Sequence, residues 1–132
     1  MRTELLSAIT DATATLTQFG VSKELPWEQN GAALFRKNLK KVYVDQSYKE
    51  EVTLIPTLDN NNVQEDKLFC LAYVACDAKN PPSQLDQLIS NILACKDRTG
   101  IVNFITESDY TMDKQEDVMV YSFEFRLQQI KQ

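Results

Sequence analysis

The stretch KLFCLAYVAC, Lys67 to Cys76, is apolar in both parities. Phe69, Leu71, Tyr73 and Ala75 fall on one side of an extended chain, and Leu68, Cys70, Ala72, Val74 and Cys76 on the other. Side chains alternate across a strand, so this run predicts a strand at the centre of a sheet, covered on both faces. The rest of the chain must supply the cover.

Downstream, DAKNPPSQLDQLISNILACKDRTG, residues 77 to 100, carries helix punctuation. Pro81 and Pro82 break the strand, Ser83 can cap, Asp86 suits the first turn, Lys96 and Arg98 suit the last, and Gly100 closes it. Leu85, Leu88, Ile89, Ile92 and Leu93 recur at helical spacing, which predicts one face buried on the sheet. IVNFITES and DVMVYSFEFRLQQ then read as two strands separated by the acidic connection DYTMDKQED. In the second strand Tyr121, Phe123, Phe125 and Leu127 alternate with Ser122, Glu124, Arg126 and Gln128. The aromatic side is expected to pack on the helix of residues 83 to 96, leaving Glu124 and Arg126 to a neighbouring subunit or to water.

Upstream, KKVYVDQ and EEVTLIPTL read as a strand hairpin joined around Ser47 to Glu50. Pro56 cannot donate to a ladder, so the second strand is expected to end at Ile55 or to run along a sheet edge. LDNNNVQED reads as a loop. ELPWEQNGAALFRKN reads as an ordered loop whose Trp27 is a lid on the core edge or an interface anchor. Leu5, Leu6, Ile9, Ala12, Leu16 and Phe19 predict an N-terminal helix, with Thr3 as a cap and Gly20 as the stop. The threonines at 10, 13, 15 and 17 lower its intrinsic propensity, so the helix depends on packing. The expected fold is a single domain over 1–132, with an N-terminal helix over 1–20 and a core over 26–130. It is α+β: a mainly antiparallel sheet of about five strands, one helix packed on a face, and the N-terminal helix.

Composition agrees with one soluble domain: 132 residues, 43% hydrophobic and 25% charged. No run approaches the length of a membrane helix, and MRTELLSAITDATATLTQF lacks the apolar core of a signal peptide, so no membrane association is expected. A net charge of -5 argues against a protein whose main work is gripping nucleic-acid phosphates. The cysteines, Cys70, Cys76 and Cys95, are odd in number and lack CxxC spacing, which makes them small buried hydrophobes. Six residues of strand would hold Cys70 and Cys76 roughly 20 Å apart, beyond disulfide reach.

With no histidine in the chain, every histidine-based nucleophile or metal site is excluded. Three scattered glycines form no phosphate-cradling loop. Asp59 opens a calcium-like run, yet the twelfth position is Cys70 and no loop glycine occurs. The acidic pairs Glu50 with Glu51, Asp109 with Asp113 and Glu116 with Asp117 read as solvated; an acid/base enzyme built on Asp and Glu alone would need one pair in an apolar cleft. No catalytic residue, cofactor or metal is expected. The one basic cluster, RKNLKK, contains Arg36, Lys37, Lys40 and Lys41. Phe35 and Tyr43 flank it, but no aromatics are interleaved to stack on nucleic acid, so it reads as a solvated face or as a surface for an acidic partner. A fitting partner is the DKQED segment of another copy, with Asp113, Glu116 and Asp117, since a heterologous contact of opposite charges can close a ring.

The run KKVYVDQ, the loop LDNNNV before an apolar strand, the join DAKNPPSQLDQLI and the terminal strand YSFEFRL together resemble the small tail terminator proteins of long-tailed bacteriophages, the minor tail protein U group. The resemblance spans about residues 26 to 130 and rests on structural patterns, not on a catalytic signature. It implies a non-enzymatic virion protein, made in the host cytoplasm, that forms a ring, usually of six copies, on the last ring of tail tube subunits. Such a ring stops tail growth and offers a surface to the head connector or neck, and to the sheath where the tail is contractile; DNA passes through it without sequence-specific binding. Two rivals predict other partners: a neck or head completion protein would contact the portal complex, and a small-molecule binding α+β domain would hold its ligand between the sheet and the Trp27 loop.

Overall fold

The computed structural model describes residues 2–22, 39–56, 58, 62–95, 106–115 and 117–131. In chain order they form α1 (Arg2–Ala14), β1 (Gly20–Ser22), β2 (Lys41–Val44), β3 (Lys49–Pro56), β4 (Asn62–Asp77), α2 (Leu85–Leu93), β5 (Thr106–Gln115) and β6 (Val118–Lys131). The architecture is α+β, as the sequence implies, with a six-stranded, mainly antiparallel sheet and an N-terminal helix.

β4 is the central strand. It pairs with β6 on one side and, on the other, with β2 and β3 placed end to end. β1 extends β2 in parallel, and β5 extends β6 antiparallel. The register sets Leu68, Cys70 and Ala72 opposite Leu127, Phe125 and Phe123, so the even residues of β4 and the aromatic side of β6 share one face. Both helices close that face: Leu5, Ile9 and Ala12 from α1 and Leu88 and Ile92 from α2 join one core with the strand residues. Phe123 and Phe125 are 0% exposed.

The second apolar parity of β4 is covered only in part among the described residues. Ala75 packs with Val118, Val120 and Leu39, while Leu71 and Tyr73 are half-buried and Phe69 is exposed. The position of the strand follows the sequence, and on this second face the described residues give cover only around Ala75.

Several boundaries differ from the sequence reading, each for a local reason. α1 stops at Ala14, and Gly20 opens β1 and does not cap the helix. The Thr10 and Thr13 hydroxyls donate back to the Leu6 and Ile9 carbonyls, and Leu16 N–H tightens the exit by donating to Thr13, so Leu16 and Phe19 reach the core from a turn. α2 begins after Gln84, without a side-chain cap from Ser83. Its first turn is held instead by a reciprocal pair: Gln84 N–H donates to Gln18 Oε1 at 2.8 Å and Gln18 N–H to Gln84 Oε1 at 3.0 Å. β2 and β3 are not a hairpin; β3 pairs with β4 from Lys49↔Phe69 to Pro56↔Asn62 and lies at the sheet edge, where Pro56 is tolerated. That ladder draws Asn62 to Asp66, read as loop from their polarity, into β4. The ladder with β6 likewise makes Thr106 to Gln115 a strand, so most of the acidic connection is β5. Trp27, Arg36, Lys37, Lys96, Arg98, Gly100, Glu116 and residues 101–105 lie outside the described residues.

Candidate interaction surface

β3 and the first half of β4 form an arm of the sheet. All eight residues of β3 are exposed. Val52 and Leu54, on the helix side of the sheet, are 61% and 60% exposed, and Ile55, Leu58 and Phe69 are exposed as well. An ordered strand with apolar side chains open on both faces marks a surface built for contact.

The face away from the helices carries a charge lattice. Lys49 bridges Glu51 at 3.0 Å and Lys67 bridges Glu65 at 3.0 Å. Arg126 donates to the Glu124 carboxylate through Nη2 at 2.6 Å and Nε at 2.8 Å, with its guanidinium carbon 5.8 Å from the Phe69 ring centroid. Hydrogen bonding and charge from Lys49 hold the Glu51 carboxyl below its usual range, and Glu65 raises Lys67 in the same way. Lys49, Glu51 and Lys67 edge a hollow of about 340 Å³ with Phe69, Arg126 and Gln128. Glu124 and Arg126 therefore satisfy one another across one strand residue. Both side chains also stay open to water, as the sequence implies.

The opposite-sign blocks are partly placed. Lys40 and Lys41 are exposed where the chain enters β2, and Asp113 is exposed in β5. Lys40 takes a left-handed φ of 64° there, and its N–H donates to the Ala75 carbonyl at 2.8 Å. Ala75 is opposite Val120, and Val120 opposite Asp113, so the two blocks flank one row of the sheet, three strand spacings or roughly 14 Å apart. Asp117 has a partner in its own chain, Lys79 at 3.6 Å.

The two acidic pairs that lie within the described residues are not brought together. Glu50 and Glu51 are neighbours in β3 and point to opposite faces, and Asp109 and Asp113 are four strand residues, roughly 13 Å, apart. Among the described residues no group of three or more His, Cys, Asp or Glu is arranged to hold a metal. The three cysteines are buried and free, as read from sequence. Burial pushes the Cys76 thiol up to about 11 and raises Cys70 against the pull of Arg2, which disfavours thiolates. No helix among the described residues is long and apolar enough to cross a membrane.

One feature left no signal in the sequence. A groove of about 630 Å³ runs between α1 and the β1–β2 edge, lined by Arg2, Leu6, Val21, Tyr43 and Tyr48 among others. Arg2 donates to the Asp45 carbonyl at 3.0 Å and lies 4.6 Å over the Tyr48 ring, fastening the first helical turn to the β2–β3 connection. The contact links residues 43 positions apart, so no local spacing announces it. No protein-family model and no curated protein matches the chain.

Proposed function

We propose that this chain is a non-enzymatic assembly protein of the phage tail and head junction: a tail terminator that closes into a ring on the tail tube, ends its growth and joins it to the head connector. The observation that carries the assembly part is the β3–β4 arm, whose Val52, Leu54 and Ile55 are exposed in a regular ladder, with Leu58 exposed just beyond it. A second copy, or a tube subunit, would remove that surface from water. Blocks of opposite charge on different sides of one sheet suit a heterologous contact, the kind that closes rings. The tail part of the reading rests on the resemblance carried by KKVYVDQ, LDNNNV, DAKNPPSQLDQLI and YSFEFRL.

Light scattering of the purified protein, followed by electron microscopy after tail tubes are added, tests the reading. A mass several times that of the chain, or rings found only at tube ends, is the expected outcome. A persistent monomer that ignores tubes overturns it, and capture of filled heads in place of tubes would move the protein to the neck. Lys40→Glu combined with Lys41→Glu is expected to weaken association without lowering the melting temperature.

A further inference from the structure

β2 and β3 occupy a single column beside β4, with Val42 to Val44 opposite Val74 to Ala72 and Lys49 to Pro56 opposite Phe69 to Asn62. β1 fills the next column only where it runs beside β2. Among the described residues the outer side of β3 is thus an open slot eight residues long. The opposite edge of the same sheet is β5, ten residues long. An exposed edge of this kind is a template for another strand.

We propose that β5 of a second copy fills the slot beside β3, antiparallel, with Lys49 opposite Asp113 and Val52 opposite Tyr110. The inference rests on the ring reading, because it takes the two copies to be related by rotation. Three antiparallel pairings separate β3 from β5 within one copy, so the two run in opposite directions. Rotation about a ring axis conserves the component of strand direction along that axis, so strands inclined to it alike meet antiparallel between copies.

Three independent features select this register. The first is closure. Val52 is level with Asp66 of β4, while Tyr110 is level with Phe123 and hence with Ala72. The sheet must therefore climb six residues, roughly 20 Å, across four strands spanning roughly 19 Å, a tilt of about 45° and close to that of closed sheets. The second is chemistry. On the helix side Val52 would face Tyr110, with Leu54 diagonal to Tyr110 and Met112 diagonal to Val52; Tyr110 and Met112 are 41% and 50% exposed. On the other face Lys49 gains Asp113, while Glu51 meets Thr111. A slip of two residues either way sets Glu51 opposite Asp113 or Asp109, and like charges directly opposed are disfavoured. The third is fit. All eight residues of β3 find a residue opposite, from Lys49 with Asp113 to Pro56 with Thr106, where Pro56, donating nothing, ends the ladder; Gln115 reaches only the level of position 47, short of β1.

Engineered cysteines test the pairing, since Cys70, Cys76 and Cys95 are buried and should stay silent. Lys49→Cys with Asp113→Cys in one chain, oxidised alone and on tail tubes, should give a ladder at multiples of the chain mass on non-reducing gels. Lys49→Cys with Thr111→Cys, the slipped register, should give severalfold less. Both variants change exposed strand positions, and unchanged melting would confirm that they fold. If light scattering shows an associated protein but the first variant yields no ladder, the edge pairing is wrong and the assembly reading stands. If the chain remains monomeric with and without tubes, both fall.

Discussion

β4 is one continuous strand with two environments. From Cys70 to Cys76 its even residues are 0% exposed, pressed between the paired strands and two helices. From Asn62 to Phe69 it is flanked by β3 and the end of β6, so backbone pairing is kept while β3 remains open to solvent throughout. The same backbone geometry thus does two jobs. Apolar burial sets the stability of the body, whereas ladder pairing alone holds the arm extended. Substitutions that remove equal numbers of carbon atoms should then have unequal costs.

The largest effect belongs to the body. Phe123→Ala should destabilise by about 3 to 5 kcal/mol and Leu88→Ala by about 2 to 5, because each leaves a cavity in a closed core. Urea titration checks this: a midpoint that hardly moves would mean that the helices do not seal this face.

The body also carries a pH signature set by burial, whereas the shifts on the arm, at Glu51 and Lys67, come from exposed ion pairs. The Cys76 thiol is raised to about 11 from an ordinary value of 9.0, first by burial, with Lys40 opposing. Its folded pKa exceeds the unfolded one, so its stabilising contribution is complete below pH 9 and is lost as pH climbs toward 11. The shift corresponds to roughly 2 to 3 kcal/mol. Cys70, Tyr73 and Tyr121, each raised chiefly by burial, act in the same direction. Denaturation midpoints measured from pH 7 to 11 should fall in the upper half of that range, and Cys76→Ala should flatten the fall.

A smaller effect is expected at the seam between the helices. Gln18 accepts from Gln84 N–H and donates through Nε2 to Ser83 Oγ at 3.1 Å, tying the turn after α1 to the start of α2. Both bonds are exposed, so Gln18→Ala should cost about 1 kcal/mol. Gln84→Ala, which breaks the reciprocal bond from Gln18 N–H, should cost a similar amount in thermal melts.

What was legible in the sequence follows the same division. The body could be read because burial imposes a pattern: two apolar parities gave the central strand, the stripe from Leu85 to Leu93 gave α2, and the alternation from Val118 gave β6. The arm was legible only in half: EEVTLIPTL gave β3 and its edge position, whereas Asn62 to Asp66, like Asp109 to Gln115 outside the arm, are mostly polar runs held in strands by neighbours distant in sequence. Adjacency of KKVYVDQ and EEVTLIPTL suggested a hairpin, but it does not determine whether consecutive strands pair with each other or with a common third. The Gln18–Gln84 clasp and the Arg2 contact join positions 66 and 43 apart. Of the charges singled out as interface candidates, Lys40, Lys41 and Asp113 stand exposed at different sides of the sheet, and Asp117 pairs with Lys79 and Glu124 with Arg126.

The smallest stability effect should accompany the sharpest change in association. Val52→Ser with Leu54→Ser removes apolar surface from positions that are already more than half exposed, so the lost burial within the chain is minor. The ladder from Lys49 to Pro56 is kept, since serine retains its backbone donor and acceptor. Stability should stay within about 0.5 kcal/mol of the parent, the range of ordinary surface substitutions. If the arm serves contact and not the fold, the same variant should lose assembly in light scattering while its melting curve overlays that of the parent. A variant that melts early would place Val52 and Leu54 with the core, and a stable variant that still assembles would leave the arm without a role in association.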